Sequence, residues 1–464
     1  MTAAFCKALF SLELAALLML LLVASCGNND SPELSQPLQT FAITIDPNIV
    51  YQEMIGFGGA LTWYSPWLTN TASKNQIYDL IFDDLGIDII RFKTWYYPDG
   101  YPDVTSTAVM TDDNSKIHYD ATNELYQEAK ARNPDVKILL SSWGPPAGLK
   151  SNNSSREGTL KKDDDRDFMY DAYAGYWAHT LDNLPFNPDY ISIQNEPTYI
   201  NPGWTTCQWS AIETPALPDY HIAFDEVHDQ IMERPNPPVM IGPESADISS
   251  YVPFASALKD KDHCGVLAYH PYNINASTSQ EQIVSGLQGI GNLSAKPNLM
   301  TEYSDNLTWF NTAWFIQSCL LHANSSGYIY WKLAWAEPTG SNPNAAMVSV
   351  SNTSSAFTVT PFYYVIKHFA KHIDAGYHRI QAATSASTLS VTAFRNPDGN
   401  QLTLVLVNIG SPSLVDFSVT GAALTGILAY QSKESSFYSA IQNTAAGSTV
   451  LLPALSITTV VLNL

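Results

Sequence analysis

The chain has 464 residues, 45% of them hydrophobic and only 14% charged, which excludes a disordered protein and allows a large core in more than one domain. Its formal net charge of −21 offers no basic patch, so no nucleic-acid partner is expected. Aromatic residues make up 12%, with 11 Trp and 25 Tyr, which suits both a large core and a cleft lined with rings.

In chain order, the first element is an export signal. Lys7 precedes an apolar run, Ala8 to Ala24, interrupted by Glu13 and ending in Val23-Ala24-Ser25-Cys26. This ending resembles a bacterial lipobox, so residues 1–26 read as a lipoprotein-type signal with Cys26 as the lipidated residue; ordinary signal cleavage nearby is the alternative. Residues 27–39 read as a flexible tether. The protein is expected to be exported and to meet a membrane only through a lipid on Cys26, or else to be secreted. No later stretch is long and apolar enough to span a bilayer.

Residues 40–52 are strand-like and are expected to join a C-terminal sheet. Eight short apolar runs follow within residues 53–374: Met54–Gly59, Asp88–Lys93, Val136–Trp143, Tyr190–Glu196, Pro238–Glu244, Gly265–Tyr272, Pro297–Glu302 and Tyr328–Leu333. Helix-like stretches lie between them, at Thr71–Leu85, Ala121–Ala131, Asp167–Leu184, Asp219–Met232, Ser279–Leu287 and Thr312–Ala323. Eight strands alternating with helices predict an α/β fold, a (β/α)₈ TIM barrel. An open doubly wound sheet is the alternative, weakened because no run leads into a G-x-G-x-x-G turn. From about residue 375 the texture changes to short alternating runs separated by turns such as Asn396-Pro397-Asp398-Gly399-Asn400. Residues 375–464 therefore predict an antiparallel β-sandwich attached to the side of the barrel.

Two of the apolar runs end in a carboxylate that packing does not call for. Tyr190–Gln194 leads into Asn195-Glu196-Pro197, and Pro297–Thr301 leads into Glu302-Tyr303-Ser304. Catalytic residues of (β/α)₈ barrels gather at the C-terminal ends of the strands, and two carboxylates meeting there suffice for glycoside hydrolysis. Pro197 biases Glu196 towards an extended backbone. Asn195 is placed to donate its amide to a sugar 2-hydroxyl. Arg91, inside an apolar strand, needs a buried partner.

Four separated motifs carry a specific resemblance. Gly56-Phe57-Gly58-Gly59-Ala60, Ser142-Trp143-Gly144-Pro145-Pro146-Ala147, Ile193-Gln194-Asn195-Glu196-Pro197 and Thr301-Glu302-Tyr303-Ser304 resemble glycoside hydrolase family 30, in the right order, over roughly Thr40 to the C-terminus. The resemblance implies a barrel with a side-attached β-sandwich, a retaining mechanism, Glu196 as acid/base and Glu302 as nucleophile. It also implies that Trp63, Trp143 and Trp331 floor sugar subsites and that Arg91 supports the nucleophile. His270 and Tyr272 would then bond to the nucleophile or the sugar.

The stretches Pro145–Asn152 and Gly158–Lys161, and Ile191–Pro197 with Trp204 and Cys207-Gln208-Trp209 behind it, look most like the xylanase branch of that family. A β-1,4-xylan-type polysaccharide is therefore the expected partner of a monomeric enzyme. Other family activities (β-glucosidase, β-1,6-glucanase, glucosylceramidase) and a non-catalytic carbohydrate-binding lipoprotein are the alternatives. Many enzymes of that branch hold a glucuronic acid carboxylate with an arginine after strand eight. Here Lys332–Gly340 holds no Arg, which removes a bidentate clamp. No cofactor motif or metal-ligand spacing is visible. Cys207, Cys264 and Cys319 allow one disulfide in an oxidising compartment.

Overall fold

The computed structural model describes residues 38–95, 115–275, 277–304, 307–336, 345–441 and 449–464. The expected export signal and Cys26 lie outside the described residues. Strand β1 (Thr40–Glu53) is followed by eight strands that close into a barrel: β2 (Gly56–Ala60), β3 (Ile89–Lys93), β4 (Lys137–Ser141), β5 (Tyr190–Ser192), β6 (Val239–Ser245), β7 (Cys264–Tyr269), β8 (Asn298–Tyr303) and β9 (Ser325–Tyr330). Each pairs in parallel with the next, and β2 pairs with β9 to complete the ring. This is the TIM barrel read from the eight runs, with each run trimmed at its ends.

The barrel interior is packed solid. Ala60, Ile89, Leu139, Ile241, Val266, Ala268, Leu299 and Ile329 form one buried cluster inside the ring, the filled core expected of an eight-stranded barrel. Strand periodicity does the sorting. On β3, Ile89 joins the inner cluster while Ile90 and Phe92 join the outer one against the helices. The same alternation turns Arg91 inward, one layer nearer the C-terminal rim. Gly58 in the first motif is a packing requirement: a Cβ there would lie 1.7 Å from the Ile89 carbonyl oxygen.

The helices Ser115–Arg132, Tyr170–Asn183, Tyr220–Ile231, Gln280–Gly291 and Trp309–His322 fall where periodicity predicts them. Ser279 and Gln282 form a reciprocal capping box, and Asp219 and Thr308 cap the neighbouring starts. The helices not foreseen include Ile248–Leu258 and Pro361–Ala370. Pro253 inside the first hides its periodicity, although Asp247 caps it by accepting from the Ser250 N–H. The stretch read as one helix from Thr71 is split into Lys74–Tyr78 and a wider π-helical turn, Asp79–Asp84. After β9, three short strands, β10 (Ala334–Ala336), β11 (Val348–Val350) and β12 (Phe357–Val359), form a small sheet at the barrel rim.

The C-terminal strands β13 (His378–Thr384), β14 (Leu389–Arg395), β15 (Gln401–Asn408), β16 (Ser413–Val419), β17 (Gly426–Lys433), β18 (Ser436–Ile441), β19 (Val450–Leu452) and β20 (Ser456–Asn463) join β1 in one nine-stranded sheet. Pairing is antiparallel except that β1 runs parallel to β16. Strands from opposite ends of the order share one buried cluster, with Val450 and Leu452 of β19 beside Ala429 of β17, so the sheet curls over itself as a sandwich. On β15, Leu402, Leu404 and Leu406 face that cluster, while Val405 and Val407 pack into the barrel's outer core. Gln317 of the barrel donates to the Val405 carbonyl at 2.7 Å.

The disulfide that the sequence allows is not formed. Cys207, Cys264 and Cys319 are free and buried, and burial pushes the Cys264 and Cys319 thiols up to about 12. Each serves as a small apolar core residue. Among the described residues no helix is long and apolar enough to cross a membrane.

Candidate active site

The C-terminal ends of the barrel strands carry every site residue named from the sequence. Trp63 follows β2, Arg91 lies on β3, Trp143 follows β4, Asn195 and Glu196 follow β5, His270 and Tyr272 follow β7, Glu302 lies on β8 and Trp331 follows β9. One oxygen of Glu196, one ring nitrogen of His270 and one oxygen of Glu302 lie within 4.8 Å of one another. Above them opens a cleft of about 430 Å³, whose walls include Trp63, Trp143, Trp331, Trp204, Tyr199 and Tyr272.

The named residues divide into two layers. Glu196, Glu302, Tyr272 and the three tryptophans line the cleft. Arg91, Asn195 and His270 are buried beneath it. Arg91 donates from Nη1 to Glu302 at 2.6 Å, from Nη2 to Asn195 Oδ1 at 2.6 Å and from Nε to Ser141 at 3.0 Å. Its guanidinium also sits 4.7 Å from the Trp143 ring centre, a favourable cation–π distance. Since the Asn195 oxygen is committed to Arg91, the donor end of that amide is turned away from the guanidinium. The Tyr272 hydroxyl donates to Glu302 at 2.8 Å. His270 pairs with Glu196 at 3.2 Å and with the Thr301 hydroxyl at 3.0 Å, not with Glu302 as the resemblance allowed.

The extended backbone expected for Glu196 is not observed. Its φ is +48°, in the left-handed region, although Pro197 follows. Tertiary bonds override the local bias: the Glu196 N–H donates to the Glu244 carbonyl at 3.0 Å, and Asn195 N–H donates to the Ser142 carbonyl at 2.6 Å. Such a conformation costs on the order of 1–3 kcal/mol and persists where surrounding contacts impose it. β5 itself ends at Ser192, so Glu196 sits on the loop above the strand.

Glu244 is the fully buried site residue that escaped the sequence reading. Its carboxylate accepts from Arg91 Nη2 at 3.1 Å and lies 3.0 Å from Nε as an ion pair, while the Nε–H itself goes to Ser141. The signal was present, because the fifth apolar run ends in Glu244 as the fourth and seventh end in Glu196 and Glu302. Tyr199, Trp204, Lys332 and Trp335 also border the cleft.

Electrostatics follow from this packing. Burial would push the Glu244 carboxyl up, but Arg91 and His270 outweigh it and hold the group well below the usual carboxylate range. Burial favours neutral His270, yet Glu302, Glu196 and Glu244 together raise its pKa to about 9, so the ring is an imidazolium at neutral pH. Burial raises the proton affinity of Glu302; His270 and Arg91 oppose this, the charge of Glu196 adds to it and the Tyr272 hydroxyl opposes it. The trio Glu196, His270 and Glu302 has the donor types of a metal site. Arg91 and the charged His270 already bring positive charge to these carboxylates, and an imidazolium has no lone pair to offer a metal.

Residues 376–460 match the glycosyl hydrolase family 30 beta sandwich domain. The "Putative glucosylceramidase 2" of Caenorhabditis elegans is 23% identical over 415 residues, 80% of this chain and 77% of that one. The catalytic domain of a family 30 xylanase C from Talaromyces cellulolyticus superposes with a TM-score of 0.72 at 20% identity, covering 91% of this chain and all of that one. The C-terminal sheet thus matches the family 30 model, and the chain as a whole is similar in fold to family 30 structures. An endo-1,6-beta-D-glucanase of Aspergillus fumigatus is 24% identical over 219 residues, 39% of this chain and 45% of that one. These similarities support a glycoside hydrolase, and the relatives carry the names of three different activities.

Proposed function

We propose that the chain is a retaining hydrolase of β-linked polysaccharide, with β-1,4-xylan as its substrate. The observation that carries the reading is the approach of Glu196 to Glu302, with carboxylate oxygens no more than 4.8 Å apart. Retaining enzymes place their carboxyls about 5–5.5 Å apart, whereas inverting ones leave about 6.5–9.5 Å for a water. Charge balance is compatible with the division of roles. Arg91 and His270 supply two buried positive charges against three carboxyls, so a neutral cluster carries one carboxyl proton, which the acid/base role assigns to Glu196. Arg91 at 2.6 Å and Tyr272 at 2.8 Å donate to Glu302 and hold its oxygens in place for attack.

In the first step the Glu302 carboxylate attacks the anomeric carbon. The bond to the leaving oxygen breaks, and that oxygen takes the proton of Glu196. In the second step Glu196 removes a proton from water, which displaces Glu302 and restores the starting configuration. The His270 imidazolium stabilises Glu196 as it becomes an anion. Trp63, Trp143 and Trp331 give the sugar faces a surface to stack on.

Support for xylan comes from the sequence motifs around Pro145–Asn152 and Trp204 and from the similarity to the Talaromyces xylanase fold. The absence of an arginine between Lys332 and Gly340 favours relaxed dependence on a glucuronic acid branch. The similarity to the Aspergillus enzyme favours β-1,6-glucan as the second reading. A product profile on glucuronoxylan, arabinoxylan and linear β-1,6- and β-1,3-glucans separates them. Comparable rates on the two xylans are expected; activity confined to a glucan would overturn the xylan reading, and a strong preference for glucuronoxylan the relaxed one. The sequence of residues 1–26 further supports export with a lipid on Cys26, tested by fatty-acid labelling of the wild type against Cys26→Ser.

A further inference from the structure

We infer that Glu244 is a positioning residue of this active site: it aims Arg91 at Glu302 and contributes the negative charge that sets the pH window of the reaction. The inference rests on the retaining mechanism proposed above. A guanidinium is planar, so holding Nη2 on Glu244 and Asn195 and Nε on Ser141, with the Glu244 charge 3.0 Å from Nε, fixes the direction of Nη1, and in that direction lies Glu302. An amide at position 244 offers one acceptor, and its N–H₂ group would oppose the guanidinium donors.

The backbone around Glu244 does related work. Its carbonyl accepts the Glu196 N–H at 3.0 Å, the Ser245 carbonyl accepts the His270 N–H at 2.9 Å and the Ala246 carbonyl accepts the Tyr272 N–H at 3.0 Å. Glu244 has φ +51° beside Glu196 at +48°, so two left-handed corners are tied together by one hydrogen bond. The end of β6 thus holds the loops after β5 and β7 in place, while its carboxylate holds Arg91 of β3.

The charged and titratable groups facing Glu244 are Arg91 from β3, His270 after β7 with Nε2 at 4.0 Å, and Tyr220 from the helix Tyr220–Ile231; Glu302 and Glu196 stand beyond them. Removing one negative charge from this buried cluster weakens the hold of Glu302 and His270 on their protons. Both limits of the pH–rate profile then move to lower pH.

Glu244→Gln and Glu244→Asp separate this role from a merely structural one, measured on whichever polysaccharide the wild type hydrolyses. Glu244→Gln is expected to lose about 100-fold in kcat, the scale of a small misplacement at a reacting centre, with little change in KM and with both pH limits moved down. Glu244→Asp keeps the charge and is expected to restore the pH limits while kcat stays reduced. Unmoved pH limits in a folded Glu244→Gln protein, with or without a fall in kcat, would overturn the inference. If Glu244→Gln does not fold, Glu244→Asp decides: reduced kcat at unchanged KM and pH limits supports the role, and wild-type kcat overturns it. Glu302→Gln serves as the reference. Should it retain hydrolysis, the retaining reading fails; should it be inactive while Glu244→Gln matches wild type, only the role of Glu244 fails.

Discussion

Two histidines of this enzyme are fully buried and titrate in opposite directions. His270, under the cleft, faces Glu302, Glu196 and Glu244, and its pKa rises to about 9. His368, on the helix Pro361–Ala370 where the barrel meets the sheet, falls to about 3 through burial, His372 and Lys367. Its ring is held by hydroxyls instead of carboxylates. The Thr459 hydroxyl donates to the His368 carbonyl at 2.7 Å and so accepts from Nδ1 at 2.9 Å. Ser432 accepts from the Tyr438 N–H and meets Nε2 at 2.7 Å, leaving its proton for that nitrogen. This network selects the neutral Nδ1–H tautomer. The same side chain at the same burial is therefore a cation among carboxylates and a neutral hydrogen-bonding element among hydroxyls.

The largest expected effect comes from breaking the ionic side at its reacting anion. Glu302→Gln keeps the shape but removes the group proposed to attack, and kcat should fall by at least about 10⁴-fold. It also removes the foremost charge that raises His270, so the His270 ring should titrate at lower pH by NMR. An unchanged His270 titration would break the comparison even if activity were lost.

The two histidines give stability opposite pH slopes. His270 has a folded pKa above its unfolded value of about 6.5, so its contribution is full below pH 6.5 and is lost as pH rises through about 9. The shift is worth about 3 kcal/mol. Urea unfolding between pH 6.5 and 9 should show a falling stability in the wild type and a much flatter curve in His270→Gln. His368 has the depressed folded value, so its stability is intact above pH 6.5 and lost as pH falls, by about 2 kcal/mol at pH 5. His372, pushed down to about 4 by burial and by Lys371 and Lys367, adds to the same slope. His368→Gln should be less stable at pH 7, by roughly 1–3 kcal/mol for its broken hydrogen bonds, yet lose less on acidification. An acid slope equal to the wild type's would show that the interface histidine is not its source.

The two regions also differed in how far the sequence revealed them. The barrel was legible because eight apolar runs alternate with helical stretches, and the ends of those runs placed Glu196 and Glu302 on one rim. Arg91 was legible because an arginine inside Ile89-Ile90-Arg91-Phe92 has to be paired. Glu244 was not, although it ends a run in the same manner, because no neighbouring motif marked it and its partner lies across two intervening barrel strands, β4 and β5. The left-handed turn at Glu196 was hidden for a similar reason: the bond that imposes it comes from β6. The interface pair His368 and His372 was invisible, since its helix was not foreseen and its hydroxyl partners Ser432 and Thr459 lie in strands far along the chain. Local patterns reveal elements and their ends; the partners that tune charge come from non-local contacts.

The central claim is that Glu302 forms a bond to the sugar while Glu196 handles the proton. It is tested most directly by incubating the wild type with a 2-deoxy-2-fluoro glycoside of its substrate sugar bearing an activated leaving group, then mapping the adduct by peptide mass spectrometry. The account predicts one fluorosugar on the peptide that contains Glu302, with the configuration retained when the natural product is released. A label on Glu196, or no adduct together with an inverted product, would contradict it.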